Sequence, residues 1–211
     1  METRGQQKST GVIVVDVQGD FTEWKNGALA VSGTGKAFID KLGQATSTLK
    51  SSGCKIYATM DWHPSGHISF FTSHNNKKIM DVIRVDGRTQ VLWPPHCVQH
   101  SSGAELVLDK GLFDAVVKKG QNKNFDSYSG FKDDGGESTE LLDILKKDGI
   151  EQLIVYGIAM DYCVRATAID GVYAGFDVTV IEDLTALITP ETSLKAKQDM
   201  INSGVVFQKQ L

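Results

Sequence analysis

Short apolar runs rich in β-branched residues recur along the chain, and each has the length of a buried strand. The clearest are GVIVVDV at residues 11–17 and LIVY at residues 153–156. Glycine or polar residues interrupt the pattern between runs, which favours separate strands over one long apolar segment. Strands are predicted over residues 11–17, 55–60, 114–118, 153–156, 177–181 and 205–207.

Apolar residues at helical spacing lie between several of these runs, as in the stripe Phe38, Ile39, Leu42, Ala45 and Leu49. Strands that alternate with helices predict an α/β fold, with three α/β/α layers around a central, mostly parallel, doubly wound sheet. Helices are predicted over residues 36–52, from a Ser138 cap to Gly149, over residues 161–174, and from a Thr189 cap to Gly204.

The organisation of the chain indicates one domain over residues 1–211, since no repeat, linker or low-complexity tract divides it. Residues 1–9 are polar and are expected to form a loose tail. Residues 73–90 are polar and irregular, and they are long enough for an insert or a lid.

Composition excludes several classes of protein. The net charge is −4 and the basic residues are scattered, which argues against nucleic acid as a partner. No apolar run reaches membrane-spanning length, and the first residues lack the apolar core of a signal peptide. The odd count of three cysteines argues against a disulfide framework, so a reducing compartment and a cytoplasmic location are expected.

Cys163 lies where a predicted strand gives way to a predicted helix. Ligands bind beyond the carboxyl ends of strands in open α/β sheets, and a helix N-terminus favours a thiolate. The sequence therefore makes Cys163 a candidate nucleophile, while a buried cysteine that only packs is an equally common alternative.

Asp16 and Lys119 each stand at the end of a predicted strand, as Cys163 does. In a parallel sheet the three side chains would meet at one edge, where the carboxylate could take the thiol proton and the lysine could stabilise negative charge. Taken singly, Asp16 is also typical of a cap and Lys119 of a solvated surface charge.

Asp61 and His63 follow another strand two residues apart, a spacing that points both side chains the same way. Either His96 or His67 could supply a third ligand, and this donor set suits Zn, Mn or Fe. The alternative is a turn with solvated polar groups.

Aromatic residues flank these groups in the sequence and suit the walls of a site for a small planar ligand. They are Phe21, Trp93, Tyr128 and Phe131, although core packing is the ordinary role of each.

Six short motifs occur between residues 11 and 206 in one order. They are Asp16-Val17-Gln18-x-Asp20-Phe21, Asp61-Trp62-His63-Pro64-x-x-His67-x-Ser69-Phe70, Trp93-Pro94-Pro95-His96-Cys97-Val98, Lys119-Gly120, Ser127-Tyr128-Ser129-Gly130-Phe131 and Gly157-Ile158-Ala159-x-Asp161-Tyr162-Cys163-Val164. Together they resemble the nicotinamidases of the isochorismatase-like hydrolase superfamily, over nearly the whole chain. Two departures are Gly19, where asparagine is usual, and the length of the 73–90 segment.

The resemblance implies specific residue roles. It implies a triad of Asp16, Lys119 and Cys163, and an oxyanion hole from the backbone N–H groups of Ala159 and Cys163, with a cis peptide bond before Ala159. It implies substrate contacts from Phe21, Trp93, Tyr128 and Tyr162. It also implies one divalent metal, Zn2+ in the first place with Fe2+ or Mn2+ as alternatives, on Asp61, His63 and His96, and His67 as a ligand in some members.

The implied activity is hydrolysis of nicotinamide to nicotinate and ammonia through a Cys thioester, in NAD salvage, with pyrazinamide as a further substrate. The implied partner is the small-molecule substrate, and a homo-oligomer is expected. One alternative is a related hydrolase that acts on an N-carbamoyl or ureido compound. Another is a protein that only binds zinc or exchanges thiols, with Cys97 as the second thiol.

Overall fold

The computed structural model describes residues 8–211, so the tail predicted over residues 1–9 lies almost wholly outside the described residues. Its strands are β1 (Thr10–Val15), β2 (Lys55–Asp61), β3 (Val82–Val85), β4 (Arg88–Val91), β5 (Ala115–Lys119), β6 (Gln152–Gly157), β7 (Asp177–Thr185) and β8 (Val206–Gln208). Its α-helices are α1 (Lys36–Ser51), α2 (Leu141–Lys147), α3 (Arg165–Tyr173) and α4 (Pro190–Asn202).

Six strands form one parallel sheet in the order β5-β2-β1-β6-β7-β8. The chain first builds outward from β1 through β2 to β5, and then returns to the other side of β1 for β6, β7 and β8. The order therefore reverses between β1 and β6. Ligands bind at such a switch point, beyond the carboxyl ends of the strands.

Helices cover both faces of the sheet, which confirms the predicted three layers. Successive residues of β1 point to opposite faces, so Val12 and Val14 pack in one core and Ile13 and Val15 in the other. Helix α1 contributes to the first core, and helices α2, α3 and α4 contribute to the second. No helix in residues 8–211 is long and apolar enough to cross a membrane.

Several predicted element bounds were wrong for local reasons. Strand β1 ends two residues early because Asp16 has a φ of +50°, which turns the chain out of the sheet. Helix α2 begins at Leu141 after Glu140, so Ser138 is not its cap. The helix predicted from residue 161 opens with a π-helical turn, Met160–Val164. Thr189 does cap α4, by accepting a hydrogen bond from the Thr192 N–H.

The 73–90 segment is not wholly irregular, because it contains most of an antiparallel hairpin formed by β3 and β4. Asp86 and Gly87 form its turn, with φ values of +50° and +78°. An Asp-Gly pair between two short segments that alternate apolar and polar residues is a strong hairpin signal, and the prediction of an irregular segment overlooked it.

Gly157 ends β6 at a position where no other residue fits. Its φ is +134°, and a β-carbon there would collide with the backbone oxygen of Val15. Gly157→Ala should lower the free energy of unfolding by about 3 kcal/mol or more, since strain and overlap act together.

The matched control is Gly149→Ala, at a φ of +67° with open space around the added carbon. It should cost only about 1 kcal/mol. Urea unfolding of both variants measures the difference, and equal losses would show that the contact with Val15 is unimportant.

Candidate active site

The ammonium group of Lys119 lies at the centre of the candidate site. Lys119 is the last residue of β5 and is almost completely buried. Its Nζ donates hydrogen bonds to Asp61 Oδ1 at 2.5 Å and to the backbone oxygen of Ser127 at 2.6 Å. It also lies 3.0 Å from Asp16 Oδ2 and 3.4 Å from Cys163 Sγ. The ends of β1, β2, β5 and β6 therefore converge on one cation.

Asp16 is fully buried beside this cation. Its Oδ1 accepts a hydrogen bond from Thr59 Oγ1 at 2.7 Å. Its Oδ2 pairs with Lys119 by charge, but within the described residues it accepts no well-aligned hydrogen bond. One lone pair of the carboxylate is thus available towards the Cys163 sulfur, which lies within 4.8 Å.

Burial shifts the pKa values of Cys163, Asp16 and Lys119. It raises the pKa of the Cys163 thiol well above its ordinary value, and Lys119 offsets only part of that effect. The expectation that the helix start would favour a thiolate was therefore wrong for the resting site. Burial also raises the pKa of Asp16, against the opposing charge of Lys119. For Lys119 burial alone would lower the pKa, but the charges of Asp16 and Asp61 hold it well above its usual range.

A second cluster, Asp61, His63 and His96, has the composition of a metal site. The His63 and His96 Nε2 atoms lie 3.5 Å and 3.9 Å from Asp61 Oδ2. Ligand atoms around a tetrahedral Zn2+ lie about 3.3 Å apart, so small shifts would close this group around an ion. All three side chains are buried, and their ligand atoms lie within 4.8 Å of one another.

Backbone carbonyls fix the orientation of both histidine rings. His63 Nδ1 lies 2.9 Å from the Gly120 oxygen, and His96 Nδ1 lies 2.7 Å from the Pro94 oxygen. Each Nδ1 is therefore the N–H donor when its ring is neutral, and each Nε2 keeps a lone pair for a metal. Burial lowers the pKa of His96 to about 4, which keeps that ring neutral at pH 7. Gly120 is required here, since a β-carbon would overlap the His63 ring.

His67 lies outside this arrangement, although its ring is 4.2 Å from that of His63. Its Nε2 donates to the Phe125 oxygen at 3.0 Å, and its Nδ1 lies 2.7 Å from Ser69 Oγ. Both nitrogens are hydrogen-bonded, and His67 also belongs to a second group with His63 and Asp126 whose ligand atoms lie within 4.8 Å of one another.

An aromatic cavity opens above Cys163. Among its lining residues are Phe21, Trp93, Tyr128 and Tyr162, the four predicted substrate contacts. Trp93 Nε1 donates to the Tyr128 hydroxyl at 3.1 Å, and the Trp93 and Tyr162 rings meet edge to face. Phe131 is not part of this wall, because it packs against Phe176 in the core.

The turn that carries Cys163 presents backbone groups to the same cavity. The Ile158–Ala159 peptide bond is cis, as the resemblance implied. Among the described residues the Ala159 N–H has no hydrogen-bond partner, and Ala159 and Cys163 both line the cavity. An N–H group in this position can stabilise a developing oxyanion.

Residues that the sequence analysis did not select hold the site together. The Gln18 side chain donates a hydrogen bond to the backbone oxygen of Asp61 and accepts one from the Asp61 N–H, both at 2.8 Å. These two bonds continue the pairing of β2 beyond the end of β1. Asp20 accepts from the Cys97 N–H at 2.7 Å, next to His96. Asp126 lines the cavity and was also missed. Their signal was weak, because isolated polar residues after a strand are common.

Lys119→Met should remove most activity and destabilise the protein by about 3–5 kcal/mol, because two buried carboxylates would lose their cation. Lys118→Met should cost about 1 kcal/mol or less, since the Lys118 ammonium only stacks on the Trp62 ring at the surface. Urea unfolding and kinetics of the two variants give the comparison.

The stability lost in Lys119→Met should depend on pH. Lys119 and His63 hold the pKa of Asp61 below its usual range despite burial, so the stabilisation from this ion pair is present at neutral pH and is lost as pH falls. The difference from wild type should therefore narrow below about pH 4. A difference in unfolding free energy between the variant and wild type that stayed constant from neutral pH to below about pH 4 would contradict the ion-pair interpretation.

Comparison with known proteins places this geometry in a family. The isochorismatase domain family matches residues 10–209. The nicotinamidase of Acinetobacter baylyi is 42% identical over 206 residues, covering 95% of this chain and 92% of that protein. The nicotinamidase of Escherichia coli is 38% identical over 201 residues, covering 93% of this chain and 92% of that protein.

Solved structures with high sequence identity share the fold. An Acinetobacter baumanii nicotinamidase/pyrazinamidase matches with a TM-score of 0.85 and 37% identity, over 96% of each chain. A Pyrococcus horikoshii pyrazinamidase in complex with zinc matches with a TM-score of 0.80 and 34% identity, over 96% of this chain and 99% of that one. An L. infantum protein in complex with nicotinate matches with a TM-score of 0.82 and 35% identity, over 97% of this chain and 94% of that one. The chain belongs to the isochorismatase family, in the group that contains these nicotinamidases.

Proposed function

We propose that this protein is a nicotinamidase, which hydrolyses nicotinamide to nicotinate and ammonia. One observation carries the proposal: Lys119 Nζ lies within 3.4 Å of Asp16, Asp61 and Cys163 at the base of an aromatic cavity. A base, a nucleophile and a cation in contact suit acyl transfer, and the flat walls suit a heteroaromatic ring. The nicotinamidases at 38% and 42% identity support the choice of substrate, and the pyrazinamidase relatives support pyrazinamide as a second one.

The first half of the reaction forms a thioester. Asp16 takes the proton of Cys163, and the sulfur attacks the amide carbon of the substrate. The N–H groups of Ala159 and Cys163 hold the negative oxygen of the tetrahedral intermediate. Asp16 then gives its proton to the departing nitrogen, which leaves as ammonia. Burial raises the pKa of the Asp16 carboxyl, which makes it a stronger base, and the nearby Lys119 ammonium group lowers the cost of forming the thiolate.

The second half releases the product. Asp16 removes a proton from a water molecule, and the water oxygen attacks the thioester carbon. The carbon–sulfur bond breaks, Asp16 returns its proton to the Cys163 sulfur, and the product acid gives its remaining proton to solvent and leaves as nicotinate. Lys119 remains protonated throughout, and it keeps the charge of Asp16 and of the passing thiolate balanced.

Asp61, His63 and His96 would hold one divalent metal ion. Two imidazoles whose Nε2 atoms face one carboxylate fit Zn2+, and the zinc complex of the Pyrococcus horikoshii relative supports that ion over Fe2+ or Mn2+. When bound, the ion supplies a Lewis-acidic position that orients the ring nitrogen of the substrate and polarises water. The hydrogen bonds on both ring nitrogens of His67 support a ligand set without it.

The product nicotinate suits a role in NAD salvage, which the family resemblance also implies. The homo-oligomer and the cytoplasmic location expected from the sequence stay predictions.

Cys163→Ala should reduce ammonia release from nicotinamide by about a thousand-fold or more, because the covalent route is lost while a small residue replaces a small one. Cys54→Ala should keep most of the activity, since Cys54 is half-buried and precedes β2, at the opposite end of that strand from Asp61. A coupled ammonia assay measures both. Substantial turnover by Cys163→Ala would rule out the thioester mechanism.

Metal removal should abolish the preference of the enzyme for nicotinamide, which has a ring nitrogen, over benzamide, which has none. Benzamide has the same amide and nearly the same shape as nicotinamide, so aromatic walls cannot separate them, whereas positioning by a metal can. Loaded enzyme should show a much higher kcat/KM for nicotinamide, and chelation or His63→Ala should bring the two values together. A ratio near one in the loaded enzyme would contradict this use of the metal.

A further inference from the structure

Ile188 lies at the mouth of the aromatic cavity and has no part in the mechanism above. It belongs to the loop between β7 and α4, and it lines the cavity together with Tyr162 and Cys163. Its side chain is 37% exposed, whereas the other lining residues are buried or half-buried. Ile188 therefore stands where the cavity meets solvent, beside the space that a ring above Cys163 would fill.

The loop that carries Ile188 is tied to the turn that carries Cys163. The Ala186 N–H donates a hydrogen bond to the Gly157 oxygen at 3.0 Å, and the Met160 N–H donates one to the Ala186 oxygen at 2.8 Å. These two bonds continue from the end of β7 onto the nucleophile turn. They fix Ala186 but not the residues that follow it.

The Asp161 carboxylate holds those following residues. Asp161 precedes Cys163 by two positions and is buried. Its Oδ1 accepts a hydrogen bond from the Ile188 N–H at 3.1 Å, and its Oδ2 accepts from the Thr189 N–H at 3.4 Å and from the Thr192 hydroxyl. These three donors belong to the loop and to the start of α4, where a carboxylate also suits the positive end of the helix dipole. One side chain of the nucleophile turn thus sets the position of Ile188.

We propose that Ile188 is a further substrate contact, an apolar rim that covers the ring of bound nicotinamide, and that Asp161 is the positioning residue that keeps it there. This inference rests on the proposed function. An aliphatic side chain at the mouth removes water from a flat ring, and this contact is the same before and after the amide reacts. It should therefore strengthen binding and leave the chemical steps unchanged. Asp161 does not line the cavity, so it acts through Ile188.

The first test compares Ile188→Ala with Leu187→Ala on the metal-loaded enzyme. Leu187 is the matched control, because it is adjacent and 38% exposed but does not line the cavity. Ile188→Ala should lower kcat/KM for nicotinamide about ten-fold, through a higher KM at nearly constant kcat, since the lost carbons no longer bury ring surface. Leu187→Ala should change kcat/KM by about two-fold or less.

Inactivation by iodoacetamide separates a lost ring contact from a damaged site. The reagent alkylates the Cys163 thiolate and has no ring, so the rate of inactivation of Ile188→Ala should equal or exceed that of wild type. A parallel fall in kcat and in the alkylation rate would mean that Ile188 only supports the nucleophile turn, and it would overturn the inference.

Asp161→Asn tests the positioning role. The amide has one acceptor oxygen where the carboxylate has two, so it cannot accept from both the Ile188 N–H and the Thr192 hydroxyl in this geometry. KM for nicotinamide should rise, and on the Ile188→Ala background the same change should raise KM by only about two-fold or less. Losses that multiply fully in the double variant would overturn the positioning role. If Asp161→Asn does not fold, Thr192→Val removes one donor to the same carboxylate and should raise KM in the same direction.

The failure of this inference can be told from the failure of the proposed function. An unchanged KM in Ile188→Ala, in an enzyme that hydrolyses nicotinamide, would overturn the rim contact alone. Wild-type enzyme that releases no ammonia from nicotinamide would overturn the proposed function instead.

Discussion

Every part of the candidate site depends on one buried cation. Lys119 has no access to solvent, so its ammonium group is stable only while negative charge lies beside it, which Asp16 and Asp61 supply in the resting site. Asp16 faces the Cys163 sulfur, and the second oxygen of Asp61 faces the histidines. The lysine thus fixes the distance between Cys163 and the histidines, and neither carboxylate can shift without leaving an unpaired buried charge.

The parallel sheet makes this arrangement possible at low cost. Four neighbouring strands end at one edge, and the residue at or just beyond each end needs no extra loop to reach the others. That regularity is also why much of the site could be predicted from the sequence. Apolar runs locate the strands, the polar residue after each run lies at the carboxyl edge, and the strand ends therefore predict that Asp16, Lys119 and Cys163 meet at one edge.

The remaining features depend on packing between distant segments, which periodicity does not describe. The π-helical turn at Met160–Val164, the hydrogen bond from Lys119 to Asp61 and the position of Asp126 all follow from contacts across the sheet edge. The protonation of Cys163 is an instructive case. Helix position favours the thiolate, but burial is the larger effect and favours the thiol. A sequence shows the helix start, whereas the depth of burial is known only from the fold.

The short segment after β1 has a consequence for how this protein can lose activity. Within six residues it supplies Asp16, the Gln18 amide that anchors Asp61, the Asp20 carboxylate that anchors Cys97, and the Phe21 ring beside His96. Insertion or deletion of one residue there would misplace the proposed base, a proposed metal ligand and a cavity wall in a single event. One change in this segment would therefore impair proton transfer, the candidate ion site and the ring pocket together.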